Sequence, residues 1–232
     1  MKILAIDTSN EVLGIALLNE NVVIGEYITN LKKNHSVRLM PAIERFLADC
    51  ETNPAELDKI VVAQGPGSYT GVRMGVTVAK SLAWSLDIPL TGVSSLAVLA
   101  AAPRYFEGYI VPLFDARRGL IYTGLYHYKQ GSLDEIRSDK NILAADWAKE
   151  LKLLEQPILF IGNDVSIHRE VFQTELKEFA TFANITECNP RPGELGKLGM
   201  NLPPADIHSF TPNYIRLVEA EAKWLEEQEQ KQ

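Results

Sequence analysis

The sequence predicts an α/β protein of two related domains, each running strand, strand, strand, helix, strand, helix. Three observations predict it. Hydrophobic spacing switches between strand-like runs and helical stretches along the chain. The order of these elements in the first half recurs in the second, without any repeat of residue identity. Each half closes its first strand on an aspartate, Asp7 and Asp115, and carries a glycine loop after its fourth strand, at Gly65 and Gly162. The boundary falls near Pro103-Arg104, giving domains of residues 1–103 and 104–232.

Each element has its own signal. Residues 2–7 are a short apolar run, and 12–18 and 22–28 follow it across an Asn-Glu-Asn turn, as a three-stranded meander. Over 36–51 the period changes: Met40, Ile43, Phe46, Leu47 and Cys50 fall at helical spacing. Pro41 sits near the first turn of that helix, where proline is tolerated, and Ser36 is its expected cap. A buried-type strand at 59–63 leads through a glycine loop into a helix over 70–86, a strand at 90–92 and a helix over 94–102. The second half gives strands at 109–114, 120–128 and 133–137, a helix over 144–154, a strand at 157–161 and a helix over 167–176. The end of the chain, 220–232, reads as an acidic helix that either packs back on the first domain or frays.

Composition excludes several classes. A formal net charge of −7 argues against a large basic surface that holds nucleic acid unaided. Two cysteines, Cys50 and Cys188, support neither a disulfide framework nor a cysteine-rich zinc site. No apolar run approaches the ~20 residues of a membrane span. Asp7 stands where a signal peptide would still be apolar, so the expected location is cytoplasmic. His35, His127, His168 and His208 lack the one-face spacing of a helical metal-ligand pair, so no metal site is expected. No Gly-x-Ser-x-Gly elbow marks a nucleophilic serine.

Four stretches carry polar chemistry, each with two readings. Asp7-Thr8-Ser9 places a carboxylate and two hydroxyls at a strand end, suited to a cation or phosphate oxygens, or to a turn satisfying its own backbone. The stretch from Gly65 through Pro66, Gly67 and Ser68 to Gly71 lies between a strand and a helix, where backbone N–H groups form an anion site, or a tight structural turn. It is neither a P-loop nor a dinucleotide fingerprint, because its glycines are spaced one residue too far apart and no Gly-Lys-Ser/Thr follows. Gly71, Gly75, Ala79 and Ala83 make a smooth ridge, for close approach either to the domain's own sheet or to a partner helix. Arg117 and Arg118 beside Asp115 suit a phosphate or a partner carboxylate, or form a solvated turn.

Together, Ile6-Asp7-Thr8-Ser9, the stretch Gly65–Arg73 (GPGSYTGVR), Asp115-Ala116-Arg117-Arg118-Gly119 and Tyr214-Ile215-Arg216 resemble the bacterial TsaB family, also called YeaZ. The resemblance implies an actin/hexokinase/Hsp70-like (ASKHA) fold. It implies a non-catalytic scaffold subunit of the complex that moves threonylcarbamoyl from threonylcarbamoyl-AMP to the adenosine beside the anticodon of ANN-decoding tRNAs. The implied partners are a TsaD-like catalytic subunit, a TsaE-like ATPase and, through the complex, tRNA; alone, the chain is expected to form a homodimer. The helices over 37–50 and 70–86 are expected to dock the catalytic subunit through Leu39, Met40, Ile43, Phe46, Leu47, Gly71, Gly75, Ala79 and Ala83. On this reading Gly75→Leu abolishes pairing and leaves the monomer folded. Asp7, Thr8, Ser9, Gly65, Gly67 and Ser68 are the candidates for weak ATP or ADP binding in the complex, and Arg117 and Arg118 for contact with RNA or a partner. Two other classes stand as alternatives: a glycopeptidase-like protease, marked by chelator-sensitive hydrolysis, and an autonomous small-molecule kinase of the same fold, marked by substrate-dependent ATPase activity.

Overall fold

The computed structural model describes residues 1–20, 22–31 and 34–215. Arg216 and the acidic stretch at 220–232 lie outside the described residues. Strands β1 (Ile3–Asp7), β2 (Val12–Leu18) and β3 (Val23–Asn30) form an antiparallel meander; β4 (Lys59–Ala63) adds parallel to β1, and β5 (Leu90–Val93) parallel to β4. The sheet order is β3-β2-β1-β4-β5. The second sheet repeats it. Strands β6 (Tyr109–Asp115), β7 (Leu120–Lys129) and β8 (Ser132–Leu143) form the meander, and β9 (Ile158–Ile161) and β10 (Ala180–Phe182) add in parallel on the other side of β6.

Every residue of β1, β2 and β4 is buried, so the first sheet is covered on both faces. Alternation along the strands sorts side chains between them. Leu4, Ile6, Leu13, Ile15 and Leu17 meet α1 (Leu39–Asp49) and α2 (Tyr69–Leu86). Ile3, Ala5, Ala16, Leu18 and Val61 meet Val98 of α3 (Ser95–Ala100) and Leu195 of α6 (Pro192–Met200). In the second sheet, Val111, Leu113, Ile121 and Phe160 pack on Trp147 of α4 (Ala144–Lys152) and Phe172 of α5 (Val165–Leu176). Its other face, with Ile110, Phe114 and Tyr126, packs on Leu96 and Leu99 of α3. Helices α3 and α6 therefore fill the layer between the sheets: the last helix of the first half lies on the second sheet, and α6 crosses back to the first.

The differences from the sequence reading are local. Strand β8 continues to Leu143 through a polar, half-exposed stretch, pairing all along β7. Strand β10 and helix α6 were not expected. Ser36 does not cap the first long helix: the Asn34 side chain accepts from the Ser36 N–H at 3.0 Å and caps one 3-10 turn, His35–Val37, ahead of α1.

Candidate functional site

The structure brings the β1–β2 turn and the glycine loop into direct backbone contact. Asp7 Oδ1 accepts from the Ser9 N–H at 2.8 Å and the Ser9 hydroxyl at 2.7 Å. The Thr8 hydroxyl donates to the Gly71 carbonyl at 2.7 Å, and the Ser68 N–H donates to the Ser9 carbonyl at 2.7 Å. A Cβ on Gly67 would stand 2.1 Å from Ser9 O, and one on Gly71 would stand 2.2 Å from Thr8 O. Ser68 caps α2, its hydroxyl accepting from the Gly71 N–H at 3.3 Å. Gly65 has φ +103° and exchanges hydrogen bonds with Ser95 at the start of α3. Asp7, Thr8 and Ser9 are all buried.

The six residues proposed to hold a phosphate are thus neighbours, but the space between them is occupied by their own backbones. The close approach of Gly67 and Gly71 to the Ser9 and Thr8 carbonyls accords with the tight-turn reading of this stretch. One feature of the turn stays unspent: Asp7 Oδ2 is buried with no partner among the described residues. Burial pushes the Asp7 carboxyl above its usual range, against the opposing hydrogen bonds from Ser9 and the nearby His35. His35 itself ties the β3–α1 connection to the turn, its Nε2 lying 2.8 Å from the Asn10 carbonyl.

The second half uses the equivalent aspartate differently. Asp115 Oδ1 lies 2.9 Å from His168 Nε2 of α5, and the Asp115 N–H donates to Asp164 Oδ2 at 2.9 Å. Burial raises the Asp164 carboxyl, and the Asp115 and Glu11 charges add to that. Sequence reasoning missed His168 and Asp164. Asp164 was legible as the acidic residue just after the Gly162 loop, whereas nothing local marks His168. Arg117 and Arg118 sit exposed at the tip of the β6–β7 hairpin with φ of +66° and +57°. The Leu120 N–H donates to the Arg117 carbonyl at 3.0 Å, so Arg118 and Gly119 (φ +77°) are the central residues of that turn, both left-handed as the twist of a hairpin favours. Among the described residues, no group of three or more His, Cys, Asp and Glu side chains is placed to hold a metal ion.

The residues expected to bind a partner lie mostly inside the first domain. The ridge of Gly71, Gly75, Ala79 and Ala83 faces inward: a Cβ on Gly75 would stand 2.5 Å from Thr8 Oγ1, and Ala79 and Ala83 are fully buried. Leu39, Ile43, Phe46 and Leu47 lie in the same core. Of the nine, Met40 alone is exposed, at 46%. The outward surface is made by other side chains: Val37, in the turn ahead of α1, is 72% exposed and Trp84 of α2 is 71% exposed. Between the helices runs an apolar groove of about 610 Å³ lined by Met40, Ile43, Leu47, Leu57, Leu82 and Leu86, with Leu4 at its floor. Periodicity identified the helices, and the smooth ridge it picked out is the face of α2 turned to its own sheet.

Two sheets of one order, each a meander extended by parallel strands and separated by shared helices, define an actin/hexokinase/Hsp70-like protein. A Carboxydothermus hydrogenoformans ethanolamine utilization protein, EutJ, shares this fold, with a TM-score of 0.50 at 12% identity over 86% of this chain and 90% of its own. A Pseudomonas aeruginosa protein with similarity to peptidase YeaZ superposes with a TM-score of 0.80 at 25% identity, over 93% of this chain and 99% of its own. The model of the family described as TsaD, tRNA N6-adenosine threonylcarbamoyltransferase, matches residues 22–224. The tRNA threonylcarbamoyladenosine biosynthesis protein TsaB of Bacillus subtilis is 57% identical over 98% of this chain and 100% of its own length. That of Escherichia coli is 31% identical over 57% and 58%. The chain belongs to the TsaB family.

Proposed function

We propose that this chain is the scaffold subunit of a tRNA threonylcarbamoyladenosine-forming complex. Its role is to pair with a TsaD-like catalytic subunit that transfers threonylcarbamoyl from threonylcarbamoyl-AMP to the adenosine beside the anticodon of ANN-decoding tRNAs. The observation that carries the reading is the 57% identity, end to end, with a relative bearing that biosynthetic name. The geometry supports the scaffold role in two ways. The aspartates that close the first strands are engaged in structure, Asp7 by its own turn and Asp115 by His168. The groove between α1 and α2 is lined mainly by apolar side chains, and Trp84 protrudes from α2 in the manner of residues that anchor protein interfaces. A TsaE-like ATPase and tRNA join through the complex, which works in the cytoplasm and binds ATP or ADP weakly; without its partner the chain pairs with a second copy.

The test mixes the purified chain with a TsaD-like subunit, measures the mass of the complex by light scattering after size exclusion, and assays threonylcarbamoylation with and without the chain. A heterodimer and a rate that depends on this chain are the expected results. No pairing and no dependence would overturn the reading. Arg117→Ala combined with Arg118→Ala is expected to slow the complex without changing its mass, and an unchanged rate removes the hairpin tip from the functional surface.

A further inference from the structure

The tip of the β6–β7 hairpin is held from inside the second half. Arg118 and Gly119 form the centre of its turn, where a left-handed backbone suits the twist of a hairpin. Arg117 precedes that centre and is left-handed as well, at φ +66°, with neither the turn's requirement nor glycine's freedom to account for it. A side-chain-bearing residue persists in this region where its surroundings over-determine it. Here Asp115 does so: its Oδ2 accepts from the Arg117 N–H at 3.2 Å.

Helix α5 in turn fixes Asp115 with two residues one helical turn apart. Asp164, just ahead of the helix, makes no side-chain cap for it; its Oδ2 accepts from the Asp115 N–H at 2.9 Å instead. His168 Nε2 lies 2.9 Å from Asp115 Oδ1. The place of this histidine is unusual. It stands on the buried stripe of α5 with Val165, Phe172 and Leu176, its side chain only 6% exposed. Packing on that stripe calls for an apolar residue, and an imidazole there must be desolvated. Its ring nitrogen goes to the carboxylate that shapes the hairpin tip. The contacts therefore run unbroken from the core of the second half, through Asp115, to an exposed arginine.

We propose that His168 is a positioning residue: acting through Asp115, it fixes the left-handed tip so that Arg117 meets a phosphate of the tRNA held by the complex. A tip set in advance loses less freedom on binding, and the guanidinium fork matches phosphate oxygens. The RNA contact rests on the scaffold reading above; the control of the tip by His168 does not.

The experiment compares the full chain with its His168→Leu and His168→Gln variants. Leucine fills the buried stripe and removes the donor, whereas glutamine returns a donor at the place of Nε2. Nitrogen-15 relaxation gives backbone order parameters for Arg117 and Arg118. Values of about 0.85 are expected in wild type and His168→Gln and below about 0.6 in His168→Leu, with Ile161 and Phe172 unmoved. Equal values at the tip in all three chains overturn the proposal. So does a loss that spreads to Ile161 and Phe172, which would make His168 a support of the fold. In the complex with the TsaD-like subunit, His168→Leu is expected to raise the KM for tRNA about tenfold at unchanged kcat, and to add nothing once Arg117→Ala is present. Additive effects of the two substitutions overturn the phosphate contact, as does a wild-type KM in Arg117→Ala. Failure of the wild-type chain to pair overturns the scaffold reading instead, while the order parameters still decide the role of His168.

Discussion

Asp7 shows how a residue that reads as chemistry is consumed by structure. Its Oδ1 takes two donors from Ser9, while Oδ2 is buried without a partner. Burial dominates, so the native carboxyl binds its proton more tightly than the unfolded one, whose value is 3.8. A raised native value means that the stabilising contribution is complete below pH 3.8 and is lost as pH rises through the native value. Asp7→Asn keeps an acceptor for Ser9 and cannot ionise. Unfolding in urea across pH 4 to 8 is therefore expected to show wild type losing stability relative to Asp7→Asn as pH rises; parallel curves would contradict the account. The neighbouring glycines are equally committed. In Gly67→Ala the new methyl meets a carbonyl oxygen at 2.1 Å that is itself held by Ser68, so the loop must shift. The expected cost is about 1–3 kcal/mol, read as a lower urea midpoint. The sequence showed that these residues belong together. It did not show whether they surround a ligand or one another, because that depends on a few ångströms between two loops nearly 60 positions apart.

At the scale of the element, α2 has two faces of opposite use. Its small residues press on β1 and β4, and its large ones look outward. Gly75→Leu, expected from the sequence to block pairing in a folded monomer, is now expected to unfold the chain: the added side chain drives into Thr8 and Val62 of the sheet. A folded Gly75→Leu monomer that only fails to pair would restore the earlier reading. The outward face is better probed by Trp84→Asp. Loss of an exposed side chain costs the fold at most about 0.5 kcal/mol. Loss of an aromatic anchor costs an interface about 2 kcal/mol, or roughly thirtyfold in affinity for the TsaD-like subunit. Helix α6 teaches the complementary lesson. The run Pro192-Gly193-Glu194-Leu195-Gly196-Lys197-Leu198-Gly199 holds three glycines, each of which disfavours a helix by roughly 1 kcal/mol. Yet a Cβ on Gly196 or Gly199 would stand 2.3 Å from Leu18 or Val61, so the glycines let α6 lie against the buried strands. Packing across the molecule overrides local propensity there, and one-dimensional pattern has no access to it.

For the whole molecule, the doubled element order was legible because each half repeats the same alternation of period, anchored by an aspartate and a glycine loop. What joins the halves was not, because the connection is made by helices that each cover the other half's sheet. The most specific of these joints is Lys59 on β4. Its ammonium is buried and donates to the carbonyls of Gly199 at 2.8 Å, Met200 at 3.0 Å and Leu202 at 2.8 Å. Gly199 and Met200 close α6 and Leu202 lies just beyond it, where the helix dipole also favours a cation. Desolvation lowers the Lys59 ammonium below its usual range, so the joint carries a cost that its three bonds offset. Lys59→Met keeps the apolar stem and removes the donor from three carbonyls at the boundary between the first sheet and α6, of which Gly199 O keeps the Leu202 N–H at 3.3 Å. The expected loss is about 2–3 kcal/mol, the scale of a charge-assisted cluster. Hydrogen exchange locates it. Amides of α6 are expected to lose protection before those of β6 and β9 in the second sheet, because α6 is released from the first sheet while the second keeps α4 and α5. Uniform loss of protection would mean that Lys59 supports the core as a whole; protection unchanged in α6 would show that its glycine-lined face, resting on Leu18 and Val61, holds the two halves together without the lysine.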